Sequence, residues 1–261
     1  MRFSDTLNSI AAHEKGYTAV IGEDWSQGRA TFGGMVAALG NEAMRRLVPA
    51  ARQLRGLETI FVGPSLAGPV RIEAEVLRTG KAVTIANARL WSDDKIAATF
   101  TGVYGAPRRA AISLAPPTAS DVRMEDFLEP AFFGMQPALA QHFGLRWAAG
   151  IHPFAGSTLA SSKTFVRHTD GAALTESHVV ALVDCIPSVV LQMMSTPAPS
   201  SSLTWTVQFL KHDYSFAPDA WWRIDAEVNS AGEGYSCESG VLFDPTGAPA
   251  ALSRQMVAVF G

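Results

Sequence analysis

The sequence predicts an α+β protein built twice over, with two antiparallel sheets, each wrapped around a long central helix. Three observations predict it. An apolar segment at helical spacing is followed by a series of strand-like segments, and that order occurs twice. Short stretches repeat along with it: Arg71-Ile72-Glu73-Ala74-Glu75-Val76 returns as Arg223-Ile224-Asp225-Ala226-Glu227-Val228, and Val103-Tyr104-Gly105 returns as Val259-Phe260-Gly261. Finally, each helix candidate is apolar on nearly every face, which demands cover almost all round, and a curved sheet from the same copy can supply it.

The first helix is read at residues 33–47, ending in Arg45 and Arg46, cations that suit the negative C-terminal end of a helix. Strands are read at 57–62, 70–77, 83–91 and 96–104, separated by turns such as Arg78-Thr79-Gly80-Lys81 and Ser92-Asp93-Asp94-Lys95. The second helix is read at 176–194, with strands at 201–210, 221–229, 235–243 and 250–260. Pro187 falls inside that helix, lacks an N–H and frees the carbonyl of Val183, so a kink is expected beside Asp184. The stretch 107–120 is rich in Pro and Ala without periodicity and reads as a surface connector. The expected division is 1–107, a connector at 108–124, and 125–261.

Composition excludes several classes. Of 261 residues, 21 are Lys or Arg and 24 Asp or Glu, with no basic run, which leaves no electrostatic footprint for nucleic acid. A hydrophobic content of 48% excludes a disordered chain. The N-terminus shows no basic region followed by an apolar one, and no stretch is long enough to span a bilayer, so a cytoplasmic protein without membrane partners is expected. Cys185 and Cys237 are too few for a disulfide framework and suit a reducing compartment. The six histidines show no ligand spacing, so no metal is expected. No Gly-x-Ser-x-Gly elbow is present, which removes support for a covalent serine hydrolase.

Thr31-Phe32-Gly33-Gly34, Phe61-Val62-Gly63-Pro64 and Tyr104-Gly105-Ala106-Pro107, with Leu182-Val183-Asp184, Ser202-Leu203-Thr204-Trp205 and Gln255 in the second half, resemble the acyl-CoA thioesterase II family, whose chains are tandem hotdog domains. The resemblance implies a double hotdog that hydrolyses acyl-CoA to a carboxylic acid and CoA by activated water, without a covalent intermediate. It implies no cofactor apart from the CoA of the substrate, a place in fatty acid metabolism, and self-association to a homodimer or higher homo-oligomer. A catalytic group of one Asp on the second helix, one Thr or Ser opening the next strand and one Gln on the last strand is also implied; here these are Asp184, Ser202 and Gln255. Where the family has Asp-His after the hydroxyl residue, this chain has Thr204 and Trp205, which become candidate substrate contacts.

Thioester hydrolysis needs a positioned water, a group that takes its proton, and donors aimed at the oxygen that turns negative. Asp184 can accept the proton, Gln255 carries both a carbonyl and an NH2, and Ser202 completes the cradle. Gly33 and Gly34, at a helix start, are candidate oxyanion donors. Plainer roles stand beside these: Asp184 as the cap of a kinked turn, Ser202 as part of a polar run, Gln255 as a surface residue. Laying the first copy on the second puts Gly40, Gly56 and Thr99 opposite Asp184, Ser202 and Gln255, so one site per chain is expected. Arg45, Arg46, Arg52, Arg55 and Lys211 are candidate contacts for substrate phosphates. Two alternatives remain: an acyl-ligand binding protein without catalysis, and a hydratase or dehydratase. The latter would pair a His with a carboxylate, but His178 lies six residues before Asp184, on nearly the opposite side of the helix.

Overall fold

The computed structural model describes residues 1–114 and 137–260. The first half contains α1 (Phe3–Asn8), β1 (Ala11–His13), β2 (Gly16–Ile21), a small hairpin of β3 (Ser26–Gln27) and β4 (Ala30–Thr31), and α2 (Gly33–Arg45). It continues with β5 (Gln53–Phe61), β6 (Gly68–Thr79), β7 (Val83–Ser92) and β8 (Lys95–Gly105). The second half contains β9 (Phe143–Ala149), β10 (Ser161–His168), α3 (Glu176–Asp184) and α4 (Val190–Met193), then β11 (Ser200–Phe209), β12 (Trp222–Gly232), β13 (Tyr235–Phe243) and β14 (Pro249–Val259).

The small and apolar residues of α2 are buried from Gly34 to Leu39, and Ala43 and Met44 follow them into the core. The helix packs on β6, β7 and β8 and against α3. Met35, Leu39 and Met44 have no exposed surface, and truncating one such side chain to alanine costs about 2–5 kcal/mol.

Twelve of the described strands form one antiparallel sheet in the order β1-β2-β6-β7-β8-β5-β11-β14-β13-β12-β10-β9. The two expected sheets, one per copy, are joined edge to edge and so form one. β5 and β11 pair directly, from Thr204 opposite Ile60 to Gln208 opposite Gly56, so two open edges vanish into one ladder. The expectation of two long helices is corrected. The second breaks after nine residues at Asp184, and α4 resumes for four after the segment 185–189 that contains Pro187. Of the connector expected at 108–124, residues 108–114 are exposed and carry neither helix nor strand; the rest, with the boundary at 125, lies outside the described residues.

Outward from the join, the two halves run β5-β8-β7-β6-β2-β1 and β11-β14-β13-β12-β10-β9. The outer pairs, which the sequence did not suggest, are also equivalent. The repetition extends to single residues. Arg71 faces Trp91 and Val76 faces Ala86, while Arg223 faces Phe243 and Val228 faces Glu238, each 152 positions later. A bulge follows Val76 in one ladder and Val228 in the other.

This register corrects the sequence alignment. Ala86 faces Gly102 where Glu238 faces Gln255, so Gly102, not Thr99, is the counterpart of Gln255. Leu54 faces Tyr104 where Ser202 faces Val257, with a bulge following in both cases, so Leu54, not Gly56, answers Ser202. The ends 103–105 and 259–261 resemble each other three places out of register.

Candidate active site

Asp184 is the last residue of α3, Ser202 lies near the start of β11, and Gln255 sits in the middle of β14. The fold brings all three together. The Gln255 Nε2 donates to Asp184 Oδ1 at 3.4 Å and to the Ser202 hydroxyl oxygen. A bulge makes this possible. On β11 the register shifts between Ser202 and Thr204, so Ser202 faces Val257 while Trp205 faces Gln255. Side chains alternate along β14, which puts Gln255 and Val257 on one inward face, and Ser202 joins them there.

The start of α2 closes the site from the other half. A Cβ added to Gly33 would lie 2.9 Å from Asp184 Oδ2 and 3.1 Å from Phe61 Cζ, so only glycine admits the carboxylate at this distance. Burial raises the Asp184 carboxyl to about 7, against the opposing pull of the Gly34 backbone N–H and the Gln255 amide. The neighbouring Cys185 thiol is driven well above its ordinary range by burial and by Asp184, which leaves it a poor nucleophile.

Asp184 and Gln255 line a cavity of about 30 Å³ whose walls include the apolar side chains of Val183, Ile186, Ile224 and Leu242. That is room for a bound water molecule. Ser253 and Glu238 also line it and were not singled out from the sequence. For Ser253 no local signal existed. For Glu238 the signal was a charged residue in a strand whose neighbours alternate inward.

Several expectations need correction. Thr204 is exposed, one step past the bulge on the outer face of the sheet, and makes no part of this cavity. Trp205 is 1% exposed and donates its indole N–H to Ser253 Oγ at 2.8 Å, so it holds a residue of the cavity wall in place. Gly34 directs its N–H at Asp184, which removes it as an oxyanion donor. The five cations proposed for phosphates are engaged within the chain. Arg45 donates to the carbonyls of Arg52 and Pro49, Arg46 to that of Ile10, Arg52 to Thr84 and the Gly80 carbonyl, and Arg55 to the Gly105 carbonyl, while Lys211 pairs with Asp244. His178 is held in the capping box of α3 with Thr175 and lies 3.8 Å from Asp170, turned away from Asp184. Among the described residues, no three His, Cys, Asp or Glu side chains cluster as a metal site.

The corresponding place in the first half is closed. Asn41 stands to α2 as Asp184 does to α3, not Gly40. It donates to Ser177 Oγ at 3.0 Å and Glu176 Oε1 at 3.2 Å at the start of α3, just as Asp184 meets Gly33 and Gly34 at the start of α2. Gly102 supplies no side chain, and a Cβ there would lie 2.6 Å from the Tyr104 ring. That ring occupies the space, and its hydroxyl donates to Asn41 Oδ1 at 2.8 Å. The Leu54 N–H is bound by Glu176 Oε2.

Residues 21–105 match the family model for the acyl-CoA thioesterase N-terminal domain, and residues 116–259 the model for the acyl-CoA thioesterase C-terminal domain. No curated protein sequence matches the chain significantly. Among solved structures, a protein of unknown function with a hot dog fold from Alicyclobacillus acidocaldarius superposes with a TM-score of 0.87 at 20% identity, covering 99% of this chain and 98% of its own. The tesB protein of Mycobacterium avium subs paratuberculosis gives 0.77 at 18% identity, over 99% and 98%. The acyl-CoA thioesterase II TesB2 of Mycobacterium marinum gives 0.74 at 16% identity, over 99% and 98%. At these identities the superpositions establish a hotdog fold, and the two family models, which together cover most of the sequence, establish that the chain belongs to the acyl-CoA thioesterase family.

Proposed function

We propose that this protein hydrolyses acyl-CoA thioesters to a carboxylic acid and CoA through one site per chain, formed by Asp184, Ser202 and Gln255. The contact that carries the reading is the Gln255 amide, which donates to both Asp184 and Ser202 beside an apolar-walled cavity. A carboxyl that ionises near neutral pH is poised to take a proton from water and return it. Asp184 removes that proton as the water oxygen bonds to the thioester carbon. Gln255 and Ser202 hold the water in line. Gly33 is the first residue of α2, so its N–H has no intrahelical acceptor and is available to the developing oxyanion. The tetrahedral species then expels the CoA sulfur, which recovers the proton from Asp184.

The reading uses no cofactor and no covalent enzyme intermediate. We place the protein in the cytoplasm on its two unpaired cysteines; no helix among the described residues is long and apolar enough to cross a membrane. The division into 1–107, 108–124 and 125–261 belongs to the same proposal.

The test is thiol release from a panel of acyl-CoAs by the purified protein and by its Asp184→Ala variant. Removal of a general base is expected to cost at least about 10²-fold. Binding without release in the parent protein would instead establish a ligand carrier.

A further inference from the structure

Three hydroxyl side chains line the small cavity beside Asp184 and Gln255: those of Ser188, Ser239 and Ser253. A hydroxyl has one proton to give and two lone pairs, and two of these three protons are already committed. Ser188 donates to Glu238, and Ser239 donates to Glu227 at 3.3 Å. Ser253 differs. Its oxygen accepts the Trp205 indole N–H at 2.8 Å, and its own proton has no acceptor among the described residues. An indole N–H can only donate, so the Ser253 oxygen is the acceptor in that contact and its proton is left for another partner.

The surroundings decide which partner. Ser253, Gln255 and Val257 turn inward along β14, with Arg254 and Met256 exposed between them, so the Ser253 hydroxyl and the Gln255 amide share one face. The Gln255 Nε2 is committed to Asp184 and Ser202, which leaves Oε1 as the amide's acceptor. Glu238, the second carboxylate on the cavity wall, already accepts from the hydroxyls of Ser188 and Ser236 and from the Val189 and Val190 N–H groups. Its acceptor capacity is used. The cavity of about 30 Å³ therefore offers a water one donor, Ser253, and two acceptors, Asp184 and Gln255 Oε1. Three polar partners are what a bound water ordinarily has.

We propose that Ser253 is a further catalytic residue, whose hydroxyl donates to the attacking water and fixes its orientation; this rests on the thioester-hydrolase reading above. A water that directs one proton at Asp184 and the other at Gln255 Oε1, and accepts from Ser253, keeps a single lone pair. That pair is the one presented to the thioester carbon. As the carbon–oxygen bond forms, the water's proton passes to Asp184 and the carbonyl electron pair moves onto the oxygen beside the Gly33 N–H. Ser253 keeps its own proton throughout. Ser202 holds the Gln255 amide from the side away from the cavity. Trp205 is the positioning residue for Ser253: it is buried directly opposite Gln255, and its indole donation biases the hydroxyl toward giving its proton to the water.

The experiment measures thiol release from acyl-CoA against pH for the parent protein, Ser253→Ala, Trp205→Phe and the double variant. Calorimetric affinity for an S-alkyl-CoA thioether, which binds without reacting, serves as the control. Ser253→Ala removes one oxygen at a half-buried strand position. It is expected to lower the plateau kcat about tenfold, the equivalent of one hydrogen bond in the transition state, with thioether affinity and the inflection near 7 unchanged. Trp205→Phe keeps an aromatic ring and loses the donor, so kcat should fall in the same direction by less. The double variant should match Ser253→Ala within about twofold, because Trp205 acts through Ser253. If Trp205→Phe does not fold, Ser253→Ala decides alone. An unchanged kcat in Ser253→Ala would overturn the proposal. An inflection displaced upward at a constant plateau would do the same, since the hydroxyl would then serve the carboxylate, and so would a loss matched by weaker thioether binding. A parent that releases no thiol sinks the hydrolase reading and this proposal with it, whereas an active parent beside an equally active Ser253→Ala sinks the proposal alone.

Discussion

Gly33, the first residue of α2, and Asp184, the last residue of α3, meet across the two halves so closely that a Cβ on Gly33 would stand 2.9 Å from the carboxylate. The site is therefore shared between the copies, although all three polar residues come from the second. Gly33→Ala is expected to displace Asp184 and lower kcat/KM by about tenfold or more, since small misplacements of a reacting group are expensive. Thermal unfolding should move little, because alanine is otherwise favoured in a helix. Unchanged kinetics would show that the carboxylate does not need this position.

The carboxyl of Asp184, raised by burial to about 7, predicts a rate that climbs with pH and levels off above that value. Gln255→Leu removes one donor to the carboxylate and should move the inflection upward while lowering the plateau. The stability effect has the opposite sign. The folded state holds this proton more tightly than the unfolded one, so the contribution is most favourable below the unfolded value of about 3.9 and declines as pH rises toward 7. Asp184→Asn should thus be inactive yet melt higher than the parent at pH 8, as measured by calorimetry.

Tyr104 fills the first half's counterpart of the site, so its loss should affect stability alone. Tyr104→Phe strips a hydrogen bond from the buried Asn41 and is expected to cost about 1–3 kcal/mol in denaturant unfolding. The kinetic constants should stay within about twofold. A large drop in kcat would mean that this polar cluster takes part in the reaction.

Sensitivity to acid is expected where α1 meets the second half. The ring of Phe3 packs 5.0 Å from that of His168 and 4.8 Å from that of His178, and the Ser4 N–H donates to Asp170. Burial lowers His168 to about 4. Burial works against ionisation of Asp170, but hydrogen bonds from His178, Ala172 and Ser4 hold it well below the usual carboxylate range. For His168 the folded value lies below the unfolded one near 6.5, so its contribution is complete above pH 6.5 and is lost as pH falls toward 4. Asp170 extends the loss to lower pH. His168→Phe, which gives up a bond to the His178 carbonyl, should be less stable at pH 7 but show a shallower decline between pH 6.5 and 4. An unchanged slope in acid titrations of unfolding would contradict this assignment.

Read as a string of residues, the chain already contained its duplication, the buried character of α2 and the break at Pro187, because hydrophobic periodicity and a missing N–H are local properties. Resemblance to a family singled out Asp184, Ser202 and Gln255. What the string did not contain was register. The similarity of 103–105 to 259–261 misled by three places, since alternation along a strand constrains which face a side chain takes and says little about its hydrogen-bonded neighbour. The bulge at Leu203 was equally silent, yet it turns Ser202 inward and Thr204 outward. Only the folded sheet paired Gln255 with Trp205 and Glu238, fixed β5 and β11 as the strands that join the copies and set their register, and set the N-terminal turn of one helix against the C-terminal carboxylate of the other. Those relationships depend on contacts between residues far apart in the chain, and such contacts exist only once the strands have found their partners.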